Sequence, residues 1–170
     1  MPTFNGFSFQ LPGPPRAGQV IPQLSPEALA ATGPIIQVQI QAPQVLAQAL
    51  QKAAAPLPPR VQGFALVDTG ASISSADTSV LTQLGISQNG VALVGTAGGQ
   101  QQQFTYAARL SFPGTAIPGF DRPKMLGCDL VGHMVFGIPN ARIIALIGRD
   151  ILRLFAFVYN GSAGAWSLSI

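Results

Sequence analysis

Residues 64–71 read FALVDTGA: four apolar side chains, then Asp68, Thr69 and Gly70, in a chain of 170 residues that holds only six Asp and Glu. A carboxylate set directly after an apolar run has two readings. It opens a turn, its own oxygen bonding the amides that follow, or it is kept there for proton transfer, the chemistry open to a carboxylate. A second acid, Asp150, follows another apolar run in ALIGRDIL at 145–152. Other reactive groups are few. Cys128 is the only cysteine and His133 the only histidine. That excludes an internal disulfide, a multi-cysteine zinc site and a His-Cys metal cluster, and it makes any Ser-His-Asp arrangement depend on one residue. Both singletons read as ordinary packed or surface residues. No metal and no cofactor is expected.

The acids sit in an unusually apolar chain. Hydrophobic residues make up 48% and charged residues 9%, so much of the surface must be Gln, Ser, Thr, Gly or apolar, which favours self-association. The net charge of +3 comes from nine basic residues scattered along the chain without aromatic interleaving, so the footprint of a nucleic-acid binder is missing. Asp129, Arg142, Arg149, Asp150 and Arg153 interrupt the C-terminal third, and no apolar run reaches the length of a membrane span. The opening MPTFNGFSFQLPGPPRAG has no basic start followed by an apolar stretch. A cytoplasmic protein without signal peptide or transmembrane segment is the expectation.

The elements that must position these acids follow from periodicity. The length suits one domain with an added segment. Residues 1–60 read as an N-terminal arm. It is Pro- and Gly-rich to residue 34, with a short helix at SPEALAA capped by Ser25 and opened by Pro26. A half-buried strand follows at IIQVQIQ (35–41), then a helix over 43–54 ended by PLPPR. From residue 61 strands dominate. FALV (64–67) is apolar on both faces and should be buried on both. ISSADTSVLTQLG reads as a short helix with Gly85 as its stop. VALVG (91–95) and QFTYAARLSF (103–112) flank a hairpin tip at TAGGQQQ. In the second of these strands Phe104, Tyr106, Leu110 and Phe112 share one face, and Thr105, Arg109 and Ser111 the other. Residues 113–124 read as a loop, IIALIG (143–148) as a second doubly buried strand, RDILRLF as a short helix, and FAFVYNGSAGAWSLSI as a hairpin turning at Asn160-Gly161.

FALVDTGAS, followed about eighty residues later by ALIGRDIL, resembles the retropepsin-like aspartic proteases, in their bacterial and cellular single-domain form. In that family a hydrophobic-Asp-Thr/Ser-Gly-Ala turn pairs with a hydrophobic-Gly-Arg-Asp/Asn segment before a short helix. The resemblance covers roughly residues 61–170. It implies a mainly β fold with a closed barrel-like sheet, a flap hairpin and short helices, preceded by the N-terminal extension. It also implies an aspartic endopeptidase. With a single Asp-Thr-Gly, the second carboxylate must come from another copy, so the resemblance implies a homodimer with Asp68 as the catalytic residue of each subunit, acting on an extended polypeptide. Thr69 would bond across the dyad and Gly70 would let an amide approach the carboxylate. Ala71 brings no hydroxyl there, implying a mildly rather than strongly acidic optimum. Thr96, Ala97, Gly98 and Gly99 would form the flap, and Ile147, Gly148, Arg149 and Asp150 would support the site. Viral relatives pair this arginine with an acid just after the turn. Here that position is Ser72, so Arg149 pairs with Asp77 or Asp150, or forms no ion pair. Trp166, Leu168 and Ile170 alternate with serines, so the last strand either joins its symmetry mate or completes its own subunit. Two other readings stand beside the enzyme: a catalytically silent dimer that binds peptide or scaffolds, and a zymogen-like form blocked by residues 1–60.

Overall fold

The computed structural model describes residues 3–7, 9–10, 23–96, 99–135, 138 and 140–170. In chain order the elements are strands β1 (Thr3–Phe7), β2 (Phe9–Gln10) and β3 (Gln23–Leu24), helix α1 (Pro26–Thr32), β4 (Ile35–Gln41), α2 (Gln44–Lys52), β5 (Val61–Val67), β6 (Ser75–Asp77), α3 (Thr78–Gln83), β7 (Gln88–Thr96), β8 (Gly99–Ser111), β9 (Phe120–Cys128), β10 (Ile143–Ile147), α4 (Arg149–Leu152), β11 (Ala156–Asn160) and β12 (Ala165–Ser169). The chain is mainly β. Strands β4, β5, β10, β6, β9 and β8 lie side by side in that order, and β8 pairs back onto β4, closing a six-stranded barrel. Strand β7 joins only β8, as a hairpin arm.

The alternation in IIQVQIQ does what its period requires. Ile36, Val38 and Ile40 are buried in the barrel, each contributing about 1.5–3 kcal/mol by leaving water. Helix α1 forms where its caps predict, with Ser25 Oγ accepting from the Ala28 amide at 3.0 Å, and its Leu29 is fully buried in the same core. Residues 25–42, read from the sequence as part of an arm, thus share one hydrophobic cluster with the strands that follow. Helix α2 buries no residue; Asp121 Oδ1 accepts from its Gln44 amide at 2.9 Å and ties its start to β9.

FALV is covered on both faces. Ala65 and Val67 enter the barrel core, whereas Phe64 and Leu66 pack against a second cluster of Leu130, Val135, Ala141 and Ile143. Strand β10 lies between β5 and β6, parallel to the first and antiparallel to the second. The loop joining β5 to β6 must therefore pass over the end of β10, and that crossing carries Asp68.

Three expectations need correction. The helix read over ISSADTSVLTQLG is half strand: Ser75–Asp77 pairs with β9 and β10, and only Thr78–Gln83 is helical, ending before Gly85 at a φ of +67°. Local pattern missed the strand because its pairing partners lie 50 and more residues away. Residues 113–124 are not wholly loop, since β9 begins at Phe120. That residue pairs with Leu110, and its ring stands edge-on to Phe112 and Phe155 at 6.1 and 5.7 Å. Phe104 does not share the buried face of Tyr106, Leu110 and Phe112; it is 52% exposed while Thr105 is buried. Pairing on both sides of β8 shifts near residues 104–108, and beyond that point the strand leaves the barrel.

The closing hairpin turns through a short 3-10 segment, Gly161–Ala163, with Asn160 Oδ1 accepting from the Ala163 amide at 3.1 Å. Strand β12 buries Trp166 and Leu168 and has both edges occupied within the chain, by β1 and β11. It completes its own subunit. Among the described residues no helix is long and apolar enough to cross a membrane.

Candidate functional site

Asp68 follows immediately on β5. Its amide donates to the Ile147 carbonyl at 3.0 Å, which fixes the turn to the end of β10. Its side chain folds back along the turn, so that Oδ1 accepts from the Gly70 amide at 2.8 Å and the Ala71 amide at 3.3 Å. A Cβ at Gly70 would sit 3.1 Å from that same oxygen, so glycine keeps the amide's approach free. Oδ2 has no hydrogen-bond partner among the described residues. Thr69 and Gly70 are exposed at the crest, and the Thr69 hydroxyl makes no hydrogen bond among the described residues.

The second motif holds this turn from beneath. The Arg149 amide donates to the Ala71 carbonyl at 2.9 Å, and Arg149 Nη1 donates to the carbonyls of Thr69 at 2.7 Å and Gly70 at 3.0 Å. Of the alternatives for Arg149, the structure shows the last, no ion pair among the described residues: Asp77 pairs with Arg142 at 3.5 Å and Asp150 with Arg122 at 2.6 Å. With Ser72 in place of an acid, the guanidinium turns to the carbonyls of the turn, the nearest acceptors left to it. Asp150 Oδ1 accepts from both the amide and the hydroxyl of Ser74, and Ser74 Oγ in turn accepts from the Gly148 amide at 2.9 Å. A Cβ at Gly148 would lie 2.8 Å from the Ile73 carbonyl carbon and 2.9 Å from the Ser74 nitrogen, so only glycine lets the two backbones meet. Ile147 is fully buried below them.

The sequence did not single out Ser74, Arg122 or Arg142. Their signal is tertiary: Ser74 is a fully buried polar residue whose partners lie 74 and 76 residues away.

Between the turn and the β7–β8 hairpin lies a cleft of about 310 Å³, lined by Asp68, Gly70, Ala71, Ser72, Ile73 and Ser75 from one side, Val94, Gly95 and Gln103 from the hairpin, and Leu126, Cys128 and Leu146 from β9 and β10. Asp68 is its only acid. Thr96 pairs with Gly99 at the hairpin's end; Gly99 is not among the residues lining the cleft, and Ala97 and Gly98 lie outside the described residues. Cys128 is thus a wall of the cleft, its Sγ 3.5 Å from the Ala76 carbonyl, and burial pushes its thiol up, keeping it protonated and neutral. His133 sits exposed in the loop before β10 and engages it through its backbone, its carbonyl accepting from the Ile143 amide. Among the described residues no group of His, Cys, Asp and Glu is placed to hold a metal ion.

No protein-family model, curated protein or solved structure matches the chain.

Proposed function

We propose that the protein is an aspartic endopeptidase of retropepsin-like type that works as a homodimer, Asp68 of one copy facing Asp68 of the other. The observation that carries this reading is the state of Asp68. One oxygen is held by two amides, the other is unpartnered among the described residues, and the cleft it borders contains no second carboxylate. The closed barrel, with β10 inserted between the strands joined by the Asp68 turn, is in keeping with it. So is the exposure of Thr69 and Gly70, the residues that two facing turns would bring into contact.

In the reaction, ionised Asp68 takes a proton from a water as its oxygen attacks the scissile carbonyl carbon. The protonated Asp68 of the second copy donates to the carbonyl oxygen. Two facing carboxylates disfavour double ionisation, so the pair keeps one proton to give. Collapse of the diol breaks the C–N bond: one carboxyl of the pair gives its proton to the leaving amine nitrogen while the other takes a proton from a diol hydroxyl, so the pair ends with one proton as it began. The β7–β8 hairpin covers the peptide and limits access of water.

The test is cleavage of an unfolded protein substrate by purified protein, with molar mass measured under the same conditions. Dimer-dependent cleavage that falls by about 10³-fold or more in Asp68→Asn is expected. Cleavage unaffected by that substitution, or retained by a strict monomer, refutes the reading.

A further inference from the structure

The cleft beside Asp68 has a mixed chemistry. Ile73, Val94, Leu126 and Leu146 give it apolar walls, but four uncharged hydrogen-bonding groups line it as well: the exposed Ser72 at its rim, and Ser75, Gln103 and Cys128. Ser75 is only 5% exposed, and its hydroxyl meets the Cys128 thiol. Gln103 is half-buried on β8, opposite Ala92, and its carboxamide has no hydrogen-bond partner among the described residues. No basic side chain among the described residues lines the cleft; the Arg149 guanidinium lies at the adjoining turn, where it is engaged by the carbonyls of Thr69 and Gly70, and Arg122 and Asp150 pair with each other.

These facts constrain what fills the space. At about 310 Å³ the cleft admits small and large side chains alike, so chemistry rather than size selects. An anionic group would be stripped of water with no counter-charge in the lining, and a cationic one would have only Asp68, the carboxylate the reaction uses. An aliphatic group would satisfy the walls but desolvate the Gln103 carboxamide without replacing its hydrogen bonds, and an unsatisfied buried polar group is costly. A neutral side chain with both a donor and an acceptor meets every group present.

We propose that this cleft is a side-chain subsite selecting Asn, Gln, Ser or Thr of an extended polypeptide, with Gln103 as its specificity-determining residue. The identity of the occupant as a peptide rests on the peptidase reading; the selection itself rests on the cleft's lining.

A synthetic peptide panel of fixed frame, with Asn, Thr, Leu or Lys scanned through the positions around the scissile bond, tests it. At one position Asn and Thr should exceed Leu in kcat/KM by roughly tenfold, with Lys lowest, the ratio expected when one buried polar group is left unpaired. Gln103→Leu should reverse the order of Asn and Leu, and Gln103→Glu should raise Lys. The same panel titrated by fluorescence anisotropy against Asp68→Asn ranks binding without turnover. The same ranking there, with no cleavage by the wild-type protein, removes the peptidase reading and leaves the subsite standing. Cleavage that prefers Leu throughout, a ranking untouched by Gln103→Leu, or no binding of any peptide overturns the subsite.

Discussion

Asp68 and Asp77 stand nine residues apart at the ends of two strands of one barrel, and each is followed by threonine. Each also uses Oδ1 to accept the amide two residues on, from Gly70 in one case and Ser79 in the other. What separates them is the second oxygen. Asp77 is fully buried; its Oδ2 accepts from the Leu130 amide at 3.1 Å and faces Arg142, while Oδ1 also receives the Ser79 hydroxyl. Burial alone would raise its carboxyl, but the hydroxyl of Ser79 and the amides of Ser79, Leu130 and Val80 outweigh that and hold it below the ordinary carboxylate value. Asp68 borders the cleft, and its second oxygen has no hydrogen-bond partner among the described residues. The difference lies in the third residue. Ser79 continues into a helix whose start the acid caps, whereas Gly70 lets the chain double back and leaves the carboxylate at the surface.

The contrast is sharpest in stability. Asp77→Ala strands the Ser79 and Leu130 amides that hydrogen-bond it, removes the tie between α3, β6 and the loop before β10, and should cost about 3 kcal/mol in urea unfolding. Asp68→Ala frees amides beside solvent and should cost under about 1 kcal/mol. Equal losses would erase the distinction between the enclosed acid and the one that borders the cleft.

A smaller effect concerns pH. Because the folded carboxyl of Asp77 is depressed, its contribution is fully present above the unfolded value of about 3.9 and is lost as pH falls through the folded value. The urea midpoint of the wild type should therefore drop as pH is lowered below about 4, and less steeply in Asp77→Asn. Parallel curves would show that Asp77 does not govern acid sensitivity.

Smallest is the effect of Arg149→Met. It removes two hydrogen bonds from an exposed guanidinium and should cost about 1 kcal/mol of stability. If Arg149 positions the Asp68 turn, the variant also loses cleavage through kcat more than KM, and Lys at 149, with a donor but no fork, restores part of it. Unchanged kcat with the same loss of stability would leave Arg149 a packing residue.

Strand β4, helix α1, the β7–β8 hairpin, β10 and the closing hairpin were legible because each is announced by local period or by caps and turns. Strand β6 was not, because three residues carry no period and its pairing depends on partners from β9 and β10. The Asp68 turn was legible as a motif, and so was the segment that supports it. The partner of Arg149 was not, since that depended on which acceptors remained once Arg122 and Arg142 had taken Asp150 and Asp77. Gln103 stands in a run of glutamines, GGQQQQF, where nothing local distinguishes the one that lines the cleft.

By itself the sequence determined the short-range features: which segments alternate, where helices begin, and that an acid followed by Thr-Gly ends an apolar strand. Backbone geometry and side-chain period act over a few residues, and both are written there. Only the tertiary structure decided which of two similar acids is enclosed and which borders a cleft. That choice depends on the second oxygen, and its partners arrive from residues 130 and 142, more than fifty positions along the chain.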